Sequence, residues 1–93
     1  MDNHIEKLTY REIELRLKEI IIDICKYKLP EKTIADISET TQLDKDFDFD
    51  SVDFVDLVFR IEDIFNLSIP EEVFDDIFPE FILIAHYIHN RRK

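Results

Sequence analysis

Glycine is absent from this chain. Phosphate-cradling loops and dinucleotide fingerprints need backbone conformations that glycine supplies, so those classes of nucleotide enzyme are excluded. Tight two-residue hairpins lose their usual turn residue as well. Cysteine occurs once, as Cys25 within an apolar run. One thiol cannot make a disulfide framework, and in that setting it reads as a small buried hydrophobe. No apolar run approaches the roughly 20 residues of a membrane span. Met1 is followed by Asp-Asn-His rather than by a basic and then apolar leader, so the expected location is the cytoplasm.

Basic residues are scarce where acids are densest. From Asp36 to Asp76 there are fourteen acids and two bases, Lys45 and Arg60; the rest of the chain holds eight acids and ten bases. The formal net charge is -10. A negative middle of this kind repels nucleic acid and draws in basic protein patches, chiefly by speeding encounter. The 93 residues set the expectation of one domain over 1–93. A chain this short builds a modest core and leaves little for a deep catalytic cleft. With 45% hydrophobic and 37% charged residues, the composition suits helices with solvated faces.

Residues 1–8 are polar and expected to be loose. Thr9-Tyr-Arg-Glu12 reads as a capping box. Beyond it Ile13, Leu17, Ile20, Ile21 and Ile24 fall on one helical face, which predicts a first helix over 10–27, ended before Pro30. A long connection follows from Leu29 to Asp50, with Ile34, Ile37, Leu43 and Phe47 as expected anchors to the core. A second helix is predicted over 51–65. Phe54, Leu57, Val58, Ile61 and Phe65 share its inner side, while Val52, Val55 and Phe59 form a second apolar stripe on the opposite side. Asp56 and Asp63 flank that stripe on one edge and Glu62 lies toward the other. The stripe either packs on the long loop or third helix, or is a docking strip with an acidic rim. Asn66-Leu-Ser-Ile-Pro70 then breaks the helix. Ser68 is a candidate cap for a short third helix that Pro79 interrupts. The last helix is predicted over 80–89, with Phe81, Ile84, Ala85 and Ile88 inward and Arg91, Arg92 and Lys93 complementing its negative end.

Three chemistries can be weighed around the acidic stretch Asp44 to Phe59. Asp44, Asp46, Asp48 and Asp50 alternate like the first ligands of a calcium loop, but Phe49 stands where that loop needs glycine and Val55 where it needs glutamate. Serine hydrolysis lacks a base near Ser51 and has no elbow motif, and His4, His86 and His89 lie at the chain ends. A phosphodiester on Ser51 remains, at a helix N-terminus where free amides and the dipole favour an anion. Beside it stands the plainer reading that Asp50 or Ser51 only caps the helix.

The stretch from Asp46 to Phe65, with Asp50-Ser51-Val52 opening an acidic amphipathic helix that closes in Phe65 and an Ile69-Pro70 turn, resembles the acyl carrier protein family. The resemblance runs from about Ile13 to Ile88. It implies an all-α four-helix bundle with a long loop between helices 1 and 2 and a short third helix. It implies 4′-phosphopantetheine on Ser51, next to Asp50, installed from coenzyme A by a magnesium-dependent phosphopantetheinyl transferase. The thiol of that arm would hold acyl groups as thioesters. It also implies that Val52, Asp53, Val55, Asp56, Phe59, Glu62 and Asp63 face partner enzymes. The family usually has glycine two or three residues before the serine; here those residues are Asp48 and Phe49. The bulk of Phe49 is expected to restrict docking, and the region around Phe78-Pro79-Glu80-Phe81 is expected to hold an extra residue. The chain is therefore expected to be a specialised, free-standing, monomeric carrier of fatty-acid, lipid or polyketide-like biosynthesis and not an enzyme. The other expectation is an unmodified acidic adaptor that keeps the carrier fold and binds a basic protein.

Overall fold

Thr9 opens the first helix as its sequence predicts. In the computed structural model, which describes residues 8–91, the Thr9 hydroxyl accepts from the Glu12 N–H at 3.2 Å and the Glu12 carboxylate accepts from the Thr9 N–H at 2.9 Å. Helix α1 then runs over Tyr10–Cys25 and buries Ile13, Leu17, Ile20, Ile21, Ile24 and Cys25. It ends two residues before the expected boundary. The Lys28 N–H turns back onto the Cys25 carbonyl at 2.9 Å, which tightens the last turn out of helical form.

The long connection carries structure of its own. A 3₁₀ turn spans Ile34–Asp36, and the one-turn helix α2 spans Leu43–Asp46. Ile37, Leu43 and Phe47 are buried, as expected of anchors, but Ile34 is 39% exposed. Asp36 closes the 3₁₀ turn by accepting the Thr33 N–H at 2.9 Å, and this turn leaves Ile34 outside and the following Ile37 inside. Further on, the Leu43 N–H donates to the Pro79 carbonyl at 3.0 Å and the Phe81 N–H to the Thr41 carbonyl at 3.1 Å. These bonds satisfy loop backbone that would otherwise be buried unpaired.

Helix α3, Ser51–Phe65, has the predicted bounds. It stops at Asn66, whose left-handed φ of 55° does the work that glycine does in most helix ends. Helix α4, Glu71–Ile77, begins after Pro70. Ser68 does not cap it: the Ser68 carbonyl accepts from the Tyr87 hydroxyl at 2.9 Å, which ties the α3–α4 connection to the last helix. A cis peptide joins Phe78 to Pro79, and α5 follows over Phe81–Arg91. Phe81, Ile84, Ala85 and Ile88 are buried, the inner face read from the sequence. Three helices, α1, α3 and α5, surround the main core, and α4 closes one side against α5. The described residues are all-helical, an acyl-carrier-like bundle with α2 as an addition inside the long loop. None of their helices is long and apolar enough to cross a membrane. The expectations for residues 1–7, including His4, and for Arg92 and Lys93 lie outside the described residues.

Candidate functional site around Ser51

Asp50, not Ser51, caps α3. The Asp50 carboxylate accepts from the Asp53 N–H at 3.0 Å, and the Asp53 carboxylate accepts from the Asp50 N–H at 3.2 Å. This reciprocal box satisfies the helix end without the serine. Ser51 is the first helical residue, exposed, and has no side-chain hydrogen bond among the described residues. A hydroxyl so placed is available to a second reactant. A phosphodiester on it fits the surroundings in one further respect: the free amides of the first turn lie beside it.

The residues before the serine show how the chain manages without glycine. Asp48 takes the left-handed conformation, with φ 56°. Aspartate tolerates that region better than most residues with a Cβ. Phe49 turns inward and is buried. Its ring centre lies 5.3 Å from that of Phe54, which in turn lies 5.6 Å from Phe78, and Phe78 stacks on Phe74 at 4.4 Å. The expectation that Phe49 obstructs the docking face is therefore corrected, because its bulk is spent on the core.

The expected recognition residues divide into two groups. Val52, Val55 and Phe59 are 73%, 51% and 66% exposed and form one open strip along α3. Asp63 is exposed as well. The other acids are engaged within the molecule. Asp53 is only 4% exposed, so it faces inward and not toward a partner. Its carboxylate lies 2.8 Å from Lys28 Nζ and accepts from the Tyr27 hydroxyl at 3.3 Å. Burial pushes its pKa up, but the Lys28 and Asp50 N–H hydrogen bonds and the Lys28 charge outweigh this and hold it below the usual carboxylate range. Asp56 pairs with Arg60 at 3.0 Å, and Arg60 also reaches Asp23 at 2.6 Å. Glu62 accepts from the Ile69 N–H at 2.8 Å and so shapes the turn into α4.

Sequence reasoning missed what α4 and the end of α1 bring. A groove of about 610 Å³ runs between α3 and α4, floored by Val55, Val58, Phe59, Ile69 and Phe74 and edged by Glu71, Glu72 and Asp75. The acidic rim expected from α3 is thus supplied largely by α4. Glu71 and Glu72, directly after Pro70, were the available signal.

Competing chemistries have other geometry. Asp46 accepts from the Gln42 N–H, Asp44 from the Lys45 N–H, Asp48 faces Lys28 and Asp50 caps α3. Asp44 and Asp46 are thus bonded to backbone around α2 while Asp48 and Asp50 turn toward Lys28, and among the described residues no group of three or more His, Cys, Asp or Glu side chains could hold a metal ion. His86 and His89 pack on the ring of Tyr10, with centroids 5.2 and 5.3 Å away. Tyr10 starts α1, whereas Tyr27 and Lys28, which touch the Ser51 region, follow its end, ~24 Å along the helix axis at 1.5 Å per residue.

Compared with known proteins, the chain finds no match among curated ones. A family profile described as a phosphopantetheine attachment site matches residues 16–88, which takes in the later part of α1, the long loop, Ser51 and most of α5. Proteins of that family are carriers with covalently attached 4′-phosphopantetheine. With most of its length matched and a bundle of the corresponding kind, this chain belongs to the phosphopantetheine-attachment carrier family.

Proposed function

We propose that the chain is an acyl carrier whose 4′-phosphopantetheine is attached through the Ser51 hydroxyl. The observation that carries the reading is the division of labour at α3: Asp50 takes the cap, and Ser51 is left exposed and unbonded on the helix the family profile covers. The attached arm supplies a thiol that holds an acyl group as a thioester. The protein's own residues supply presentation. Asp50 and Asp53 fix the helix start, and the transferase brings the base and the magnesium that activate the hydroxyl. Val52, Val55 and Phe59 offer apolar contact, and Asp63 with the α4 acids offers charge to enzymes with basic patches. The groove beside Phe59 can shelter an apolar group carried on the arm. The pathways that suit this equipment are fatty-acid, lipid or polyketide-like biosynthesis, in the cytoplasm, with the carrier a monomer. The adaptor reading rested on Phe49 and the missing glycine, and the inward ring of Phe49 and the left-handed Asp48 remove that support.

The test is intact mass after incubation with coenzyme A, magnesium and a broad-specificity phosphopantetheinyl transferase, with Ser51→Ala alongside. A phosphopantetheine-sized gain that the variant lacks is the expected result. No gain with several transferases, together with full biological activity of Ser51→Ala, would sink the carrier reading in favour of the adaptor.

A further inference from the structure

One cation serves the whole segment before Ser51. Lys28 Nζ donates to the Asp48 backbone carbonyl and lies 3.9, 3.8 and 2.8 Å from the carboxylates of Asp48, Asp50 and Asp53. Its side chain is 21% exposed, and its own N–H is tied to the Cys25 carbonyl, so the clamp is rooted in the end of α1. The group it holds is otherwise unfavourable in two respects. Asp48 carries a Cβ in left-handed backbone. Three carboxylates crowd at the start of a helix whose first turn is to accept one more anion. A single ammonium offsets both: it fixes the carbonyl of the left-handed residue, and it neutralises part of the charge where the phosphodiester would form.

We propose that Lys28 is a positioning residue for the modification of Ser51: by clamping Asp48, Asp50 and Asp53 it holds the glycine-free approach to the serine in the shape that presents the hydroxyl. The proposal rests on the reading of Ser51 as the attachment point. It places the determinant of modification on α1's end, outside the helix that carries the serine.

The experiment compares the full chain with Lys28→Gln, Asp48→Gly and the double variant, in transferase kinetics and in amide exchange of the unmodified proteins. Far-ultraviolet circular dichroism should be unchanged, because α1 and α3 keep their own caps. In Lys28→Gln the kcat for phosphopantetheine transfer should fall about tenfold from misplacement of the hydroxyl. KM should not rise, because the variant is more acidic and docks a basic transferase at least as well. Exchange at the Phe49 and Asp50 amides, which donate to the Leu43 carbonyl and the Asp53 carboxylate, should quicken about tenfold. In the Asp48→Gly background, where left-handed backbone needs no clamp, removing Lys28 should cost less than about twofold in kcat. Wild-type kcat in Lys28→Gln would overturn the proposal, and so would loss of helicity, which would make Lys28 a determinant of the fold alone. Failure of the wild-type chain to gain mass would overturn the Ser51 reading and this one with it; a modified wild type beside a fully active Lys28→Gln overturns only the role of Lys28.

Discussion

Lys28 Nζ lies 2.8 Å from the carboxylate of Asp53, joining the end of α1 to the first turn of α3. Asp53 also receives the Asp50 N–H and the Tyr27 hydroxyl, so three groups meet on one nearly buried carboxylate. Asp53→Ala removes the shared acceptor and leaves the Tyr27 hydroxyl and the Asp50 N–H without their partner, while Lys28 keeps Asp48 and Asp50. The expected loss is about 2–3 kcal/mol of unfolding free energy, read from the shift of the urea midpoint. Asp63→Ala, on the exposed side of the same helix, should stay within about 0.5 kcal/mol.

The same acids set the response to pH. Asp53 is held below the ordinary range despite its burial, by the Lys28 and Asp50 hydrogen bonds and the charge of Lys28. The Asp23 carboxyl is held down to about 2 by hydrogen bonds from Arg60 and Lys26. Both groups bind protons less readily folded than unfolded, so lowering the pH favours the unfolded chain. Their stabilisation is complete above about pH 4, the unfolded carboxylate value, and fades as pH falls through the lower folded-state values, about 2 for Asp23. Lys28 has the opposite sign: its pKa is raised, so its contribution holds below about pH 10.5 and is lost as pH rises through the higher folded-state value. Urea midpoints from pH 7 down to 2.5 should fall most steeply in the last unit and a half, and Asp23→Asn should flatten the slope only slightly, since that pair is solvent-screened.

The bundle itself was readable because local signals agreed. The Thr9–Glu12 box, the isoleucine face of α1 and the span of α3 all follow from side-chain period and capping chemistry, and the structure keeps them. What could not be read were the pairings that only the tertiary fold creates. Tyr27 and Asp53 are 26 positions apart, and nothing local in either segment links them. By helical wheel Asp53 lies four residues before Leu57 and so beside the buried face; what the wheel does not show is the Lys28 and Tyr27 side chains that meet it there. Phe49 misled for the same reason, because a family pattern marks it as bulky without saying which way the ring turns. Ile34 failed as an anchor because the 3₁₀ turn that exposes it has no clear hydrophobic period.

Phe49 gives a direct measure of that difference. If its ring obstructed docking, Phe49→Ala would improve modification. The structure instead buries it against Phe54, in the same aromatic group as Phe74 and Phe78. Phe49→Ala should therefore cost about 3 kcal/mol through the cavity it leaves, while the milder Phe49→Leu should cost about 1 kcal/mol. Transferase KM, measured on Phe49→Leu well below its melting temperature, should match the wild type. A lower KM would restore the obstruction reading.

Phe59 tests the docking strip without disturbing the core. Its side chain is 66% exposed and lies between the open stripe of α3 and the groove edged by the α4 acids. Phe59→Asp should change stability by no more than about 0.5 kcal/mol. It removes apolar contact at the centre of the strip, so turnover by a partner enzyme should show KM raised about tenfold, equivalent to about 1.4 kcal/mol, with kcat unchanged. Ile64→Asp is the matched control: Ile64 is also exposed on α3, but it borders the small hollow shared with Arg16, Glu19 and Asp23 of α1. It should leave KM alone. Equal effects from both variants would mean that added charge, wherever it falls on α3, weakens the encounter. No effect from Phe59→Asp would move the docking surface away from the strip altogether.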